Sequence, residues 1–127
     1  MNTLPKKRER QRVVPITPTS IRVDGVALDD EDRAQIRRKT RTLLARYGQV
    51  VERVTVRIRD VNGPRGGVDI ACRIKVVLSR LPSVVVERRA TRLESSFAGA
   101  LTAAGSSVSH AVRRRRMRPI KATRPRH

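Results

Sequence analysis

The sequence predicts an α+β domain with the element order β-α-β-β-β-α. This order describes a two-layer sandwich in which a four-stranded sheet carries two helices on one face. Strict alternation of apolar and polar residues in the middle of the chain is typical of half-buried strands. Stretches with helical periodicity lie on both sides of that region. The length of 127 residues leaves little room for a second core.

The first half of the predicted domain is a short strand followed by a helix. Residues 20–23 form an extended run that ends at the turn pair Asp24-Gly25. Behind the acids at 29–32, helical spacing of apolar residues predicts a helix of about 18 residues that ends before Gly48. Its apolar stripe consists of Ile36, Leu43, Leu44 and Tyr47. These acids interact favourably with the positive end of the helix dipole. A capping role explains them better than a role as metal ligands.

Two long strands and a short one follow. Residues 54–59 alternate between apolar and polar, residues 62–67 supply turn chemistry, and residues 68–78 alternate again. This pattern predicts an antiparallel hairpin. After Leu81-Pro82, residues 83–87 are predicted as the fourth strand.

The last predicted element is a second amphipathic helix, which ends at Pro119 at the latest. Gly99 and Gly105 each cost about 1 kcal/mol relative to Ala inside a helix, so they weaken the prediction or mark close packing on the sheet. Its apolar stripe consists of Leu93, Phe97, Ala100, Leu101, Ala104, Val108, Ala111 and Val112.

The charge distribution indicates the domain boundaries and a class of partner. The chain has 30 Lys and Arg against 11 Asp and Glu, a formal charge of +19. Residues 1–15 and 119–127 are basic, contain proline and lack apolar periodicity, so we expect flexible arms around a domain at 16–118. A surplus this large requires a polyanionic partner, and nucleic acid is the leading candidate.

Other classes of function find little support in the residues. No apolar run approaches the roughly 20 residues of a membrane span, and the start contains no secretory signal, so we expect a cytoplasmic protein without a membrane partner. His110 and His127 have no evident catalytic partner, and Cys72 is expected to be a small core residue. We therefore expect no enzymatic activity, no metal, no cofactor and no small-molecule substrate.

The basic residues of the domain accumulate on several elements. They are expected on the open face of the sheet, at the hairpin tip, along the first helix, and at both ends of the second. Any one group is explained by solvation, but the whole set is hard to leave without an anionic partner. Tyr47 and Phe97 are expected in the core, which leaves no platform for base stacking and favours recognition of phosphates and shape. The candidate RNA-binding residues are Arg37, Arg38, Lys39, Arg57, Arg59, Arg65, Arg73, Lys75, Arg88, Arg89, Arg92, Arg113, Arg114, Arg115, Arg116 and Arg118.

A resemblance covers residues 18–116 and is most specific in the hairpin. Residues 60–69 read Asp-x-Asn-Gly-Pro-x-Gly-Gly-x-Asp, and Cys72-Arg73-Ile74 and the run at 82–87 follow. This pattern is similar to the ribosome hibernation-promoting factor and ribosome-associated inhibitor A family, in its short form without a C-terminal dimerisation domain. The resemblance implies a layout akin to double-stranded RNA-binding domains.

The same resemblance implies a function. It implies docking on the small ribosomal subunit and its rRNA near the mRNA and tRNA sites, and silencing of translation under stress. Family members place basic residues of both helices on rRNA, which matches residues 113–116 and 37–39. The alternatives are a general RNA or DNA chaperone and a regulator that binds a protein such as a sigma factor. Self-association is left open.

Overall fold

The computed structural model describes residues 18–62 and 68–117. Its elements are β1 (Thr19–Asp24), α1 (Asp30–Leu44), a 3₁₀ turn (Ala45–Tyr47), β2 (Val51–Asn62), β3 (Val68–Leu78), β4 (Val84–Ala90) and α2 (Leu93–Met117). The predicted order β-α-β-β-β-α and the α+β class are confirmed. The predicted arms, the hairpin loop with Arg65, and Arg118 lie outside the described residues.

The four strands form one mixed sheet in the order β1-β2-β3-β4. β1 pairs in parallel with β2, which requires the crossover that α1 provides, and the other two pairings are antiparallel. The register pairs Ile58 with Cys72 on one face of the sheet and Arg57 with Arg73 on the other. The alternation in the sequence therefore separates an apolar face from a polar one.

Both helices cover the apolar face of the sheet. The buried strand residues on that face are Val54, Val56, Ile58, Cys72, Ile74 and Val76. Helix α2 contributes its predicted stripe, in which Ala100, Ala104 and Val108 are fully buried. Each fully buried Val or Ile side chain contributes about 1.5 to 3 kcal/mol, and each alanine methyl group contributes less. The polar face is left open.

Helix α1 begins with a capping box and continues into the 3₁₀ turn. The side chain of Asp29 accepts from the backbone N–H of Asp32 at 2.8 Å, and the Asp32 side chain accepts from the Asp29 N–H at 3.4 Å. The acids of the first turn thus fulfil the predicted capping role. The predicted stripe is wrong at Leu43, which is 40% exposed, because Thr40 occupies the buried position one turn after Ile36.

The junction of β4 and α2 differs from the prediction. The fourth strand continues to Ala90, so Arg88 and Arg89 belong to the strand and do not open the second helix. Neither glycine of α2 faces the centre of the sheet. A Cβ on Gly99 would lie 3.5 Å from Cγ of Arg88, and one on Gly105 would lie 2.9 Å from Cδ2 of Leu43. Gly105 therefore marks the close approach of α2 to α1.

Candidate nucleic-acid interface

A row of three arginines crosses the open face of the sheet. Arg22 of β1 is the register partner of Arg57 in β2, which is in turn the partner of Arg73 in β3. Neighbouring strands lie about 4.8 Å apart, so the three Cα atoms fall within about 10 Å. Lys75 lies two residues beyond Arg73 and on the same face. We call Arg22, Arg57, Arg73 and Lys75 the sheet-face cluster.

The sheet-face cluster is exposed and only weakly neutralised. Nη2 of Arg57 lies 3.7 Å from Oδ2 of Asp24, and both side chains are at least half exposed, so this ion pair contributes little. Within the described parts of the chain, the other three cations have no acidic side chain within 4.0 Å. The four side chains line a shallow depression together with Thr55 and Val85.

Two further predicted residues flank this cluster as an ion-paired group. Nη2 of Arg59 lies 3.5 Å from Oε1 of Glu87, and Nε of Arg89 lies 3.8 Å from Oε2 of the same carboxylate. Glu87 is also the register partner of Arg73, so it ends the arginine row at β4. Arg59 and Arg89 are thus partly neutralised, whereas Arg73 is not.

A second cationic surface lies on the helix layer. Arg113, Arg114 and Arg115 are exposed near the C-terminal end of α2, where cations offset the negative end of the helix dipole. Nη1 of Arg115 donates to the backbone oxygen of Ser79 at 3.3 Å, which ties the helix to the β3–β4 connection. Arg116 continues the same helix. We call Arg113, Arg114 and Arg115 the helix-end cluster.

The remaining predicted residues are scattered over the helix layer. Arg37, Arg38 and Lys39 are exposed along α1. Arg92 precedes α2, and its Nε lies 3.8 Å from Oε1 of Glu94. Arg88 belongs to the helix side of the sheet, since it pairs in register with Cys72, and its Nη1 donates to the backbone oxygen of Glu87 at 2.8 Å.

The structure thus divides the predicted set between two opposite layers. It also adds Arg22, which the sequence analysis passed over. The signal was available, because Arg22 is the central polar position of the predicted first strand. What the sequence did not supply was the neighbour: only the parallel pairing of β1 with β2 places Arg22 beside Arg57.

Solved structures of two other proteins have a similar fold. The chain is similar to the crystal structure of the N-terminal domain of Protein Y from Thermus thermophilus, with a TM-score of 0.61 and 17% identity over 74% of this chain and 98% of that one. It is also similar to a ribosomal subunit interface protein from Coxiella burnetii, with a TM-score of 0.58 and 9% identity over 74% and 96%. No protein-family model and no curated protein matches the sequence. The shared feature is the fold.

A polar cleft between the two helices was also missed by the sequence analysis. Tyr47, predicted as a core residue, is half-buried and lines this cleft with Arg46, Ser109, His110 and Arg113. A side-chain hydrogen bond with Ser109 lowers the pKa of Tyr47, although burial opposes the shift, and the nearby guanidinium groups of Arg46 and Arg113 lower it further. The Tyr47 hydroxyl therefore lies in a positive environment.

The cysteine of the chain has a structural role. Cys72 is fully buried, and burial, assisted by the charge of Glu87, raises the pKa of its thiol to about 12. It is the small core residue that the sequence predicted. Within residues 18–62 and 68–117, no group of three or more His, Cys, Asp or Glu side chains is arranged to hold a metal ion. No described helix is both long and apolar enough to cross a bilayer.

Proposed function

We propose that this chain binds small-subunit ribosomal RNA near the mRNA and tRNA sites and inhibits translation by occupying that position, as a hibernation factor does. The observation that carries the proposal is the sheet-face cluster. Three arginines on directly neighbouring strand positions repel one another, and like charges opposite each other destabilise a sheet. Such an arrangement is relieved when phosphates lie between the cations.

The side chains around the cluster favour phosphate over base recognition. Among the described residues, the aromatic side chains are Tyr47, which is half-buried on the helix side, and Phe97, which is buried in the core. The open face therefore offers guanidinium and ammonium groups without a ring on which a base could stack. Contacts of this kind position a protein on a folded RNA through its backbone.

The ribosome as the address is supported by two independent features. The hairpin pattern at residues 60–69 resembles that of hibernation factors. The solved structures with the same fold include Protein Y and a ribosomal subunit interface protein.

Sedimentation of the full-length chain with purified small subunits tests the proposal. We expect the protein in the subunit fraction at moderate salt, displacement by high salt, and inhibition of translation in a reconstituted system. A tenfold mass excess of unrelated RNA should leave most of the protein on the subunits. Equal partition between subunits and competitor would favour a general nucleic-acid chaperone, and failure to sediment with subunits at all would overturn the proposal.

A protein partner is tested separately. Pull-down with the full-length chain after complete nuclease treatment should release the bound material if RNA holds it. Retention of a stoichiometric protein such as a sigma factor under these conditions would favour the regulator alternative instead.

A further inference from the structure

The cleft between α1 and α2 is formed by the close contact at Gly105. A Cβ at this position would lie 2.9 Å from Cδ2 of Leu43, so glycine permits α2 to approach α1 at this point. Beside this contact, residues of α1, the 3₁₀ turn and α2 line an open cleft of about 600 Å³.

The lining of the cleft combines cations with hydroxyl groups. Arg46 comes from the 3₁₀ turn that follows α1, Arg113 comes from α2, and His110 lies on the same cleft. The hydroxyl groups come from Thr42, Tyr47, Thr102, Ser106 and Ser109. No carboxylate lines the cleft among the described residues.

These groups are already oriented toward one another. Nη2 of Arg113 lies 3.4 Å from Oγ of Ser109, which is at the long end of the range for a hydrogen bond. The Tyr47 side chain lines the same cleft, and the groups that lower its pKa are Ser109, Arg46 and Arg113. A hydroxyl both donates and accepts, so Ser109 has capacity left for a ligand hydroxyl. The cations and hydroxyls thus form a connected polar surface.

The helix dipole explains only part of this lining. Arg46 lies in the last turn of the first helical segment, and a cation there offsets the negative helix end. The dipole does not require five hydroxyl groups facing the same space. Guanidinium groups bind a phosphate, and neighbouring hydroxyls bind the 2′-OH by which a protein distinguishes RNA from DNA.

We propose that the cleft holds one ribose-phosphate unit of RNA, with Arg46 and Arg113 on the phosphate and Thr42 and Ser109 on the 2′-OH. The inference rests on the proposed RNA-binding function and deepens it, because it names the site at which RNA is preferred to DNA. The sheet-face cluster contacts phosphates, which both nucleic acids carry, and it supplies no such preference.

The test compares a folded RNA stem-loop with its DNA counterpart, using the full-length chain. Thr42→Val/Ser109→Ala should weaken RNA binding about 5- to 30-fold, as expected for one or two lost hydrogen bonds, and should leave DNA binding within about twofold. The matched control is Thr91→Val/Ser95→Ala, which removes two exposed hydroxyls outside the cleft and should leave both affinities unchanged. Arg113→Gln should weaken RNA and DNA binding by the same factor.

A second measurement begins with the wild-type chain, so its first part does not depend on the folding of a variant. Single 2′-deoxy substitutions along the RNA should identify one nucleotide at which the wild-type chain loses affinity, and Thr42→Val/Ser109→Ala should be insensitive there. An unchanged RNA-to-DNA ratio in that variant, or equal wild-type affinity for both stem-loops, would overturn the inference and leave the proposed function intact. Failure of the wild-type chain to bind any RNA would overturn both.

Discussion

The two outer arginines of the sheet-face cluster provide a test in which stability and binding should change in opposite directions. Arg22 and Arg73 flank Arg57 on its two neighbouring strands, and neither has an acidic partner within 4.0 Å in the described parts of the chain. The variant Arg22→Gln/Arg73→Gln removes both like-charge contacts and keeps the pair between Arg57 and Asp24. A directly opposed like-charge pair costs about 0.2 to 1 kcal/mol, and a directly opposed pair of opposite charge gains about as much, so the loss of Arg73 opposite Glu87 offsets one of the two relieved contacts. We therefore expect the melting temperature of the free protein to rise by about 1 to 8 °C.

RNA binding should weaken in the same variant. If each arginine contacts one phosphate, the slope of log K against log salt falls by about 0.9 per contact, or about 1.8 for the pair. Between 50 and 200 mM salt, the loss of affinity should then be about 12-fold smaller than for the wild-type chain. Fluorescence anisotropy with a labelled small-subunit RNA fragment at several salt concentrations measures the slope.

The control removes the same charge elsewhere. Arg33 and Arg80 belong neither to the sheet-face cluster nor to the helix-end cluster, and Arg33→Gln/Arg80→Gln also lowers the formal charge by two. This control should leave the melting temperature nearly unchanged and the salt slope less affected. Equal slopes in the two variants would show that net charge alone governs binding, and a lower melting temperature for Arg22→Gln/Arg73→Gln would refute the argument from repulsion.

Tests at four further residues examine the packing of the fold. Thr40 is buried and its hydroxyl has no hydrogen-bond partner among the described residues, so Thr40→Val should stabilise the fold by about 1 kcal/mol in chemical denaturation, whereas Thr40→Ser should destabilise it. Gly99→Ala adds a Cβ at an ordinary contact distance of 3.5 Å and should stabilise the fold by up to about 1 kcal/mol through helix propensity, which a higher melting temperature would show. Gly105→Ala should stabilise the fold less, because Leu43 must move. Cys72 should react with thiol reagents only through unfolding. Since its folded pKa of about 12 lies above the unfolded value of about 8.5, stability should be fully present below that value and fall as pH rises from there toward 12; a fast reaction of the native protein at pH 8 would contradict the burial.

Local periodicity accounts for the part of the fold that the sequence predicted. Alternation at residues 54–59 and 68–78 assigned the correct face to Arg57, Arg73 and Lys75, because a two-residue period has only two outcomes. The predicted apolar stripe of α2 was also confirmed. A long helix with many apolar residues has only one face that buries most of them. These elements carry their own signal along the chain.

The sequence-based predictions are wrong where contacts between distant parts of the chain determine burial and the ends of elements. Helix α1 has few apolar residues, so packing decides which of its faces is buried. The buried residues include Thr40, whereas Leu43, which was expected in the core, is exposed. The end of β4 depends on its pairing with β3, which extends to the register pair of Ile70 and Ala90 and draws Arg88 and Arg89 into the sheet. The cleft at Tyr47 likewise requires the contact between two helices that are distant in sequence.

The opposite placement of the two clusters constrains the kind of RNA that satisfies the proposed function. The sheet-face cluster lies on the open side of the sheet, whereas the helix-end cluster lies on the layer that covers the other side. The two clusters lie on different layers and approach each other only at the edge formed by β4, so a short extended strand bound to the first cluster covers at most part of the second. Full neutralisation requires RNA on two sides of the domain, which a folded RNA with a recess provides and a short single strand does not. A hairpin or single strand should therefore show a smaller salt slope than intact small subunits.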